Sequence, residues 1–184
     1  MNIALLMCGL LMLDADPQMW PETRAIVEFQ RAADDYAFMH RRIERRQPPL
    51  EVTAGIDTLR HSITSMAEAI RVARPNAREG DLFAAPVRPI LRARIVKAMR
   101  LHDVTVADLD AEVADTVPAH LAVNGEMPWR QTGSMPPYVL DVLPPLPPEL
   151  QYRFVGADLV LVDVHASLIV DILRDAALPM DTVR

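Results

Sequence analysis

The sequence predicts an α+β fold in which an N-terminal helical hairpin and further helices pack on a small antiparallel C-terminal sheet. Two long segments in the first half repeat apolar residues every three or four positions, and three short apolar runs separated by turn residues follow after residue 149. With 51% hydrophobic and 24% charged residues, the chain has enough apolar material for a packed core. Its 184 residues suit one domain, which we place at 21–184, helical over 21–115 and mixed or β over 116–184, after an apolar segment and linker at 1–20.

Two long helices are expected to form the hairpin. The first is predicted from about residue 21 to residue 47, where Pro48 and Pro49 end it. Its apolar face is formed by Ile26, Phe29, Ala33, Tyr36, His40 and Ile43. The second helix is predicted over 53–74, before Pro75. Its apolar face is formed by Ile56, Leu59, Ile63, Met66, Ile70 and Ala73. Because a short Pro-Pro turn joins two matching apolar faces, we expect an antiparallel helical hairpin.

Two further helices are predicted before residue 115. Pro86 and Pro89 are expected in the first turn of the third helix, where a missing backbone N–H is tolerated, and the helix continues to about Leu101. The segment 105–108, which reads TVAD, is an N-cap signature. It predicts a short fourth helix that ends near residue 114.

The second half of the chain carries the strand signals. Strands are predicted at 119–123, 150–155, 159–164 and 167–173, with a helix of one to two turns at 137–143 and an extended proline-rich segment at 143–148. Asn124 and Gly125 mark a turn, and Gly156 suits the first central position of a two-residue hairpin turn. The strand at 159–164 is apolar on both faces, which predicts a central strand covered by helices.

Charge is distributed unevenly along the chain. Residues 1–102 carry 15 basic and 12 acidic side chains, whereas residues 103–184 carry 4 and 13, which gives the net charge of −6. Because phosphate contacts need clustered cations, the acidic tail predicts no nucleic-acid partner. We expect the basic helices and the acidic tail to face each other within one fold. A weak membrane-surface or anion contact through the third helix stays open as an alternative. That helix carries Arg88, Arg92, Arg94, Lys97 and Arg100.

An apolar run of 11 residues lies at 3–13. It is shorter than the ~20 residues that a membrane-spanning helix needs, so we expect no integral membrane span. Its length is typical of a signal-peptide h-region, which predicts a periplasmic or secreted bacterial protein. No Lys or Arg precedes the run, and two alternatives stay open: a buried segment of a cytoplasmic protein, or a lipid anchor at Cys8. Because Cys8 is the one cysteine, an internal disulfide and a cysteine-based zinc site are excluded.

The C-terminal segment resembles known proteins. Residues 143–173 read LPPLPPELQYRFVGADLVLVDVHASLIVDIL, a proline-rich entry followed by YRFVG, LVLVDVHA and LIVD. This pattern resembles the tail of small exported bacterial proteins of unknown function. It is more distantly similar to the C-terminal hairpin of the periplasmic nickel/cobalt homeostasis protein family. The resemblance covers 31 of 184 residues. It implies an envelope location and implies no catalytic residues.

Asp163 and His165 are the candidate metal ligands. On a strand, residues i and i+2 lie on one face about 7 Å apart, so both can reach one metal ion or form an acid–base pair. The same residues lie where the last hairpin must turn, and Asp favours turns, so a structural turn is our first interpretation. His40 is interpreted as a hydrogen-bonded core histidine, with Tyr36 and Glu44 on the same helix face at the edge of the core. The other histidines are His61, His102 and His120, in unrelated contexts.

The sequence contains no motif that predicts catalysis or a cofactor. It has no phosphate-binding glycine loop, no recognisable nucleophile–base pair and no pair of histidines at helical ligand spacing. We therefore expect a non-enzymatic, exported or envelope-associated interaction or structural protein, with a protein partner that the sequence does not specify. The alternative is a periplasmic small-ligand or divalent-metal-binding protein that uses Asp163 and His165. A site lined by perturbed ionisable groups would favour the alternative.

Overall fold

The computed structural model describes residues 20–48, 55–109, 120–133 and 135–179. Its helices are α1 (Pro21–Glu44), α2 (Ile56–Ala73), α3 (Arg88–Leu101), α4 (Val106–Leu109) and α5 (Pro137–Leu140), and its strands are β1 (Leu150–Val155), β2 (Asp158–Asp163) and β3 (Leu168–Leu173). The predicted α+β class is confirmed. The predictions for the apolar run at 3–13 and for the end of the fourth helix near residue 114 lie outside the described residues.

The two long helices are in contact, as a helical hairpin requires. The buried residues of α1 are Ala25, Phe29, Ala33, Tyr36, Ala37, His40 and Ile43. Those of α2 are Met66, Ala67 and Ile70. The Phe29 ring stacks on Phe83 with centroids 5.6 Å apart. α1 ends at Glu44, three residues before the predicted end, because the N–H groups of Arg46 and Gln47 bond to carbonyls three residues back and tighten the last turn.

The fourth helix begins as its sequence signal predicts, whereas the third begins at Arg88, so that Pro86 lies before its first turn and the prediction is confirmed for Pro89 alone. Pro89 is the second residue of α3, whose buried face packs into the core. Before α4, the Thr105 backbone N–H and hydroxyl both donate to the Asp108 carboxylate, at 2.7 and 2.6 Å. This arrangement satisfies a donor that the start of a helix otherwise leaves unpaired.

The predicted strand at 119–123 is wrong for the residues described there. Residues 120–125 form an irregular segment beside β3, in which the Asn124 N–H donates to the Ile169 carbonyl at 2.8 Å and Glu126 makes an isolated bridge with Leu168. Asn124 has a φ of 63°, a left-handed conformation that turns the backbone out of an extended ladder. The segment therefore lies along β3 without forming a fourth strand.

The sheet is antiparallel with the order β1-β2-β3. Gly156 has a φ of 58° in the tight turn between β1 and β2, as the sequence predicts. One face of the sheet packs into the main core with the helices. The other face packs on Leu121 and Met127, with Val160 and Val162 fully buried beneath them. The central strand is thus covered on both faces as predicted, but one cover is the irregular segment rather than a helix.

The helical arginines reach the second half of the chain largely through its backbone. Their carbonyl acceptors are Asn124 for Arg71, Val170 for Arg74, Arg174 for Arg92 and Val142 for Arg94. Arg41 also forms an ion pair with Glu149 at 2.8 Å. The basic helices therefore face the acidic tail as expected, although backbone oxygens accept many of the bonds. Among the described helices, none is both long and apolar enough to cross a membrane.

Candidate functional site

A buried carboxylate, Asp163, lies at the end of β2 and is fully hydrogen-bonded. Its Oδ2 atom accepts a bond from the Tyr36 hydroxyl at 2.8 Å and lies 2.6 Å from His40 Nδ1. Its Oδ1 atom accepts bonds from the backbone N–H groups of His165 and Ala166, at 3.1 and 2.8 Å. Because an ionised carboxylate only accepts hydrogen bonds, the His40 ring must carry its proton on Nδ1 in this contact.

The partners of Asp163 come from α1, where Tyr36 and His40 are one turn apart and therefore on the same face. Burial alone lowers the pKa of His40. The hydrogen bond and negative charge of Asp163, with the charges of Glu44 and Glu149, outweigh burial, so the pKa of His40 is raised above its usual value. Burial and then Asp163 also raise the pKa of Tyr36, so this phenol stays protonated and donates. Both pKa values are thus shifted from their usual values, and such shifts are frequent at functional sites.

A second set of polar side chains lies beside His40, toward solvent. His165 Nδ1 lies 3.2 Å from Glu44 Oε1, and its Nε2 lies 3.4 Å from Ser62 Oγ on α2. The rings of His40 and His165 have centroids 5.9 Å apart. Since the His165 side chain is 28% exposed and His40 is buried, the set extends from the core to the surface.

His40, Glu44 and His165 form a group with metal-ligand chemistry. One donor atom from each lies within 4.8 Å of the donor atoms of the other two. Of the sequence candidates, the structure brings His165 into this group and gives Asp163 a different place, as the hydrogen-bond partner of His40. Asp163 also accepts the two backbone bonds that the turn interpretation requires.

Sequence reasoning found part of this group and missed the rest. The spacing of four residues predicts the shared helix face of Tyr36, His40 and Glu44, but a helix face of this kind does not distinguish a metal site from the edge of the core. Ser62 carried no signal, because a serine inside an amphipathic helix is ordinary. Among the described residues, the remaining histidines do not join the site, and the His102 ring stacks on Tyr138 at 4.0 Å.

The other fully buried carboxylate, Asp171 in β3, has a structural role. It accepts bonds of 2.7–2.8 Å from four backbone N–H groups. These belong to Gly80, Leu82, Phe83 and Ile172. The carboxylate therefore fixes the loop before α3 onto the sheet, and its bonding capacity is used within the protein.

Two apolar cavities of about 580 and 480 Å³ flank Pro144 and Pro145. Neither is lined by a residue of the group His40, Glu44 and His165, which we call the histidine–carboxylate group. Tyr152 lines the larger one, and its hydroxyl donates to the Pro144 carbonyl at 3.0 Å, so the polar atom is already paired. Polar side chains also line both cavities, among them Arg153 in the larger one and Asp141 in the smaller one, but neither lining contains a histidine.

Comparison of the chain with family models, with curated proteins and with solved structures finds no match in any of the three. The class of protein is therefore defined by the structure of its described residues. It is an α+β protein with a histidine–carboxylate group where its first two helices meet its C-terminal β-hairpin. The resemblance of the tail to exported bacterial proteins stays a prediction.

Proposed function

We propose that the protein binds a divalent transition-metal ion, of the kind represented by Zn²⁺, Ni²⁺ and Co²⁺, through His40, Glu44 and His165. The observation that carries the proposal is the convergence of three donor atoms to within 4.8 Å of one another. Donors bound to one ion at ~2.0–2.1 Å stand about 3.3 Å apart in tetrahedral geometry. The 3.2 Å between Glu44 Oε1 and His165 Nδ1 already has this value, so small side-chain shifts complete the set.

Both histidines have an outer partner for the ring nitrogen that does not face the ion. His40 Nδ1 donates to Asp163, which leaves Nε2 as its ligand atom. When His165 binds through Nδ1, its proton resides on Nε2 and is donated to Ser62 Oγ, since a hydroxyl accepts as readily as it donates. A carboxylate or hydroxyl behind each imidazole orients the ring and raises its basicity, as is usual for metal-binding histidines.

The charge around the site favours a cation. Glu44 contributes one negative charge as a ligand, and the buried Asp163 contributes another behind His40. The field of these carboxylates already raises the pKa of His40, and the same field attracts a divalent ion. Two imidazoles and one carboxylate suit zinc and its first-row neighbours better than magnesium or calcium, which prefer all-oxygen sites.

Thermal unfolding with added metal tests the proposal. For a Kd near a micromolar, a millimolar of free Zn²⁺ adds ~4 kcal/mol to the free energy of unfolding. In a domain of this size that raises Tm by roughly 10 °C. We expect EDTA-treated full-length protein to show such a rise on adding Zn²⁺, Ni²⁺ or Co²⁺, with about one ion bound per chain by equilibrium dialysis.

His165→Asn is the diagnostic variant because the side chain is partly exposed and its loss is tolerated by packing. It should fold with a metal-free Tm close to that of the parent protein and lose the metal-dependent rise. His61→Asn, on the exposed face of α2, is the matched control and should keep the rise. A shift below about 2 °C in the parent protein, or an equal shift in His165→Asn, would show that the group is a structural hydrogen-bond network.

The expectation of an exported or envelope-associated interaction protein is compatible with a metal site but receives no support from it. That expectation depends on the run at 3–13 and on the tail resemblance, and it stays a prediction.

A further inference from the structure

Glu149 immediately precedes β1 and is bonded to residues next to two of the proposed metal ligands. Its carbonyl accepts a bond of 3.2 Å from the N–H of Val164, the residue before His165. Its carboxylate Oε1 accepts a bond of 2.8 Å from Arg41, the residue after His40. Glu149 is therefore bonded to the chain neighbours of both proposed histidine ligands.

The second carboxylate oxygen of Glu149 is unusual. The side chain is 12% exposed, and its Oε2 atom is buried without a hydrogen-bond partner among the described residues. Buried carboxylate oxygens are nearly always paired, because leaving one unpaired forfeits its hydration without compensation. A buried carboxylate oxygen without a donor is a position where a bound ligand can supply the missing hydrogen bond.

The proposed ligand set has room for such a ligand. His40, Glu44 and His165 provide three donors, and sites with three protein ligands keep a further coordination position for water or an exogenous molecule. Among the described residues, no other carboxylate or histidine lies close enough to all three to fill that position.

We propose, on the basis of the metal-binding function above, that the bound ion takes an exogenous ligand that carries an O–H group, such as water or a hydroxamic acid, and that Glu149 Oε2 accepts a hydrogen bond from it. The carboxylate selects for ligands that donate a proton into a hydrogen bond. It selects against purely anionic ligands, which its negative charge repels.

Ligand titrations of the full-length Co²⁺-loaded protein test the proposal, because the visible absorption of Co²⁺ changes when its coordination changes. The probes are acetohydroxamic acid, which carries an O–H group, and azide, an anion that carries none. The variants are Glu149→Gln and the matched control Glu28→Gln, an exposed glutamate on α1. Acetohydroxamic acid should perturb the spectrum of the parent protein and of Glu28→Gln with the same Kd.

In Glu149→Gln, the Kd of acetohydroxamic acid should rise about tenfold, because a charge-assisted hydrogen bond is lost. The Kd of azide should stay equal or fall, because a repelling charge is removed. A weaker binding of acetohydroxamic acid without a weaker binding of azide separates a ligand-binding role from general damage to the site. Should Glu149→Gln not fold, Glu149→Asp withdraws the oxygen by one methylene and keeps the charge, so the acid should weaken about tenfold while azide is unchanged.

Two results would overturn the inference and leave the metal-binding function intact. In the first, Co²⁺ binds but neither probe changes its spectrum, which means that the coordination shell is closed. In the second, Glu149→Gln weakens both probes equally, or neither, so that Glu149 does not contact the ligand. Failure of the protein to bind Co²⁺ at all would overturn both proposals.

Discussion

The substitution Asp163→Asn isolates the effect of the buried charge, since it preserves the shape of the side chain. With its NH₂ group toward His40, the asparagine donates a hydrogen bond to Nδ1, and the imidazole proton then resides on Nε2. A protonated Nε2 cannot bind a metal ion. We therefore expect Asp163→Asn to lose metal affinity although all three proposed ligands are still present.

The magnitude follows from the four hydrogen bonds of Asp163. The asparagine oxygen keeps the two bonds from backbone N–H groups. The bonds with Tyr36 and His40 change from charge-assisted to neutral, at about 1 kcal/mol each. The metal-free protein should thus lose ~2 kcal/mol of unfolding free energy and remain folded. Metal affinity should fall 10–100-fold, as is typical when an outer partner of a histidine ligand is removed.

Urea unfolding in EDTA and in millimolar Zn²⁺, together with calorimetric titration of Zn²⁺, measures both effects. Tyr36→Phe is the matched control, because it removes one bond to the same carboxylate and leaves the proton on His40 Nδ1. It should lose about 1 kcal/mol in EDTA and keep its metal affinity. Unchanged affinity in Asp163→Asn, or an equal loss of affinity in Tyr36→Phe, would refute the assignment of Nε2 as the ligand atom.

Three other predictions follow from the described residues. Asp171→Asn turns an NH₂ group toward backbone donors and should lose ~3 kcal/mol or more of unfolding free energy in urea. The control Asp81→Asn, at a more exposed carboxylate, should lose under about 1 kcal/mol. Equal losses would contradict the structural role of Asp171. Val160→Asp places an unpaired carboxylate in the core and should abolish the cooperative thermal transition, so a cooperative melt by circular dichroism would refute the central-strand assignment. In the metal-free protein, burial lowers the pKa of His40, but Asp163 raises it by more, so the net shift is upward. The stability that this pair contributes is therefore complete below the unfolded pKa of ~6.5 and is lost as the pH rises through the folded pKa. Tm should fall as the pH rises above about 6.5, and a profile of the same slope in His40→Gln would contradict this.

The elements of the fold were largely readable from the sequence because they depend on local patterns. The hairpin turn at Gly156 needs a left-handed conformation that glycine adopts without strain, and β1 has the bounds that its alternation predicts. The strand predicted at 119–123 was wrong because the backbone bonds of this segment to β3 begin only at Asn124, and an apolar run does not reveal whether its N–H groups have a ladder partner. Which surface covers a strand is likewise a tertiary property that periodicity does not contain.

Part of the site could also be predicted from the sequence, because that part depends on local patterns. Tyr36, His40 and Glu44 are placed on one face by helix geometry, and Asp163 and His165 are linked by the turn between β2 and β3. No local rule joins these two groups, because the docking of the sheet on α1 sets which carboxylate meets which histidine. The contact between His40 and Asp163 spans 123 residues of chain. Ser62 and Glu149 have no motif at all and become visible only through their contacts.

For the metal ion proposed above, this long-range construction determines how binding would act on the protein. Glu44 and His165 are 121 residues apart, and Ser62 is 103 residues from His165, so the unfolded chain holds the donors together only at a large cost in loop-closure entropy. An ion therefore binds the folded state almost selectively, and its binding free energy appears as stability of the contact between the helices and the β-hairpin. The same contact contains the buried Asp163, whose bonds to α1 form without metal. The carboxylate thus stabilises this contact in the metal-free protein, and the proposed ion would bind a site in which Asp163 has already oriented His40.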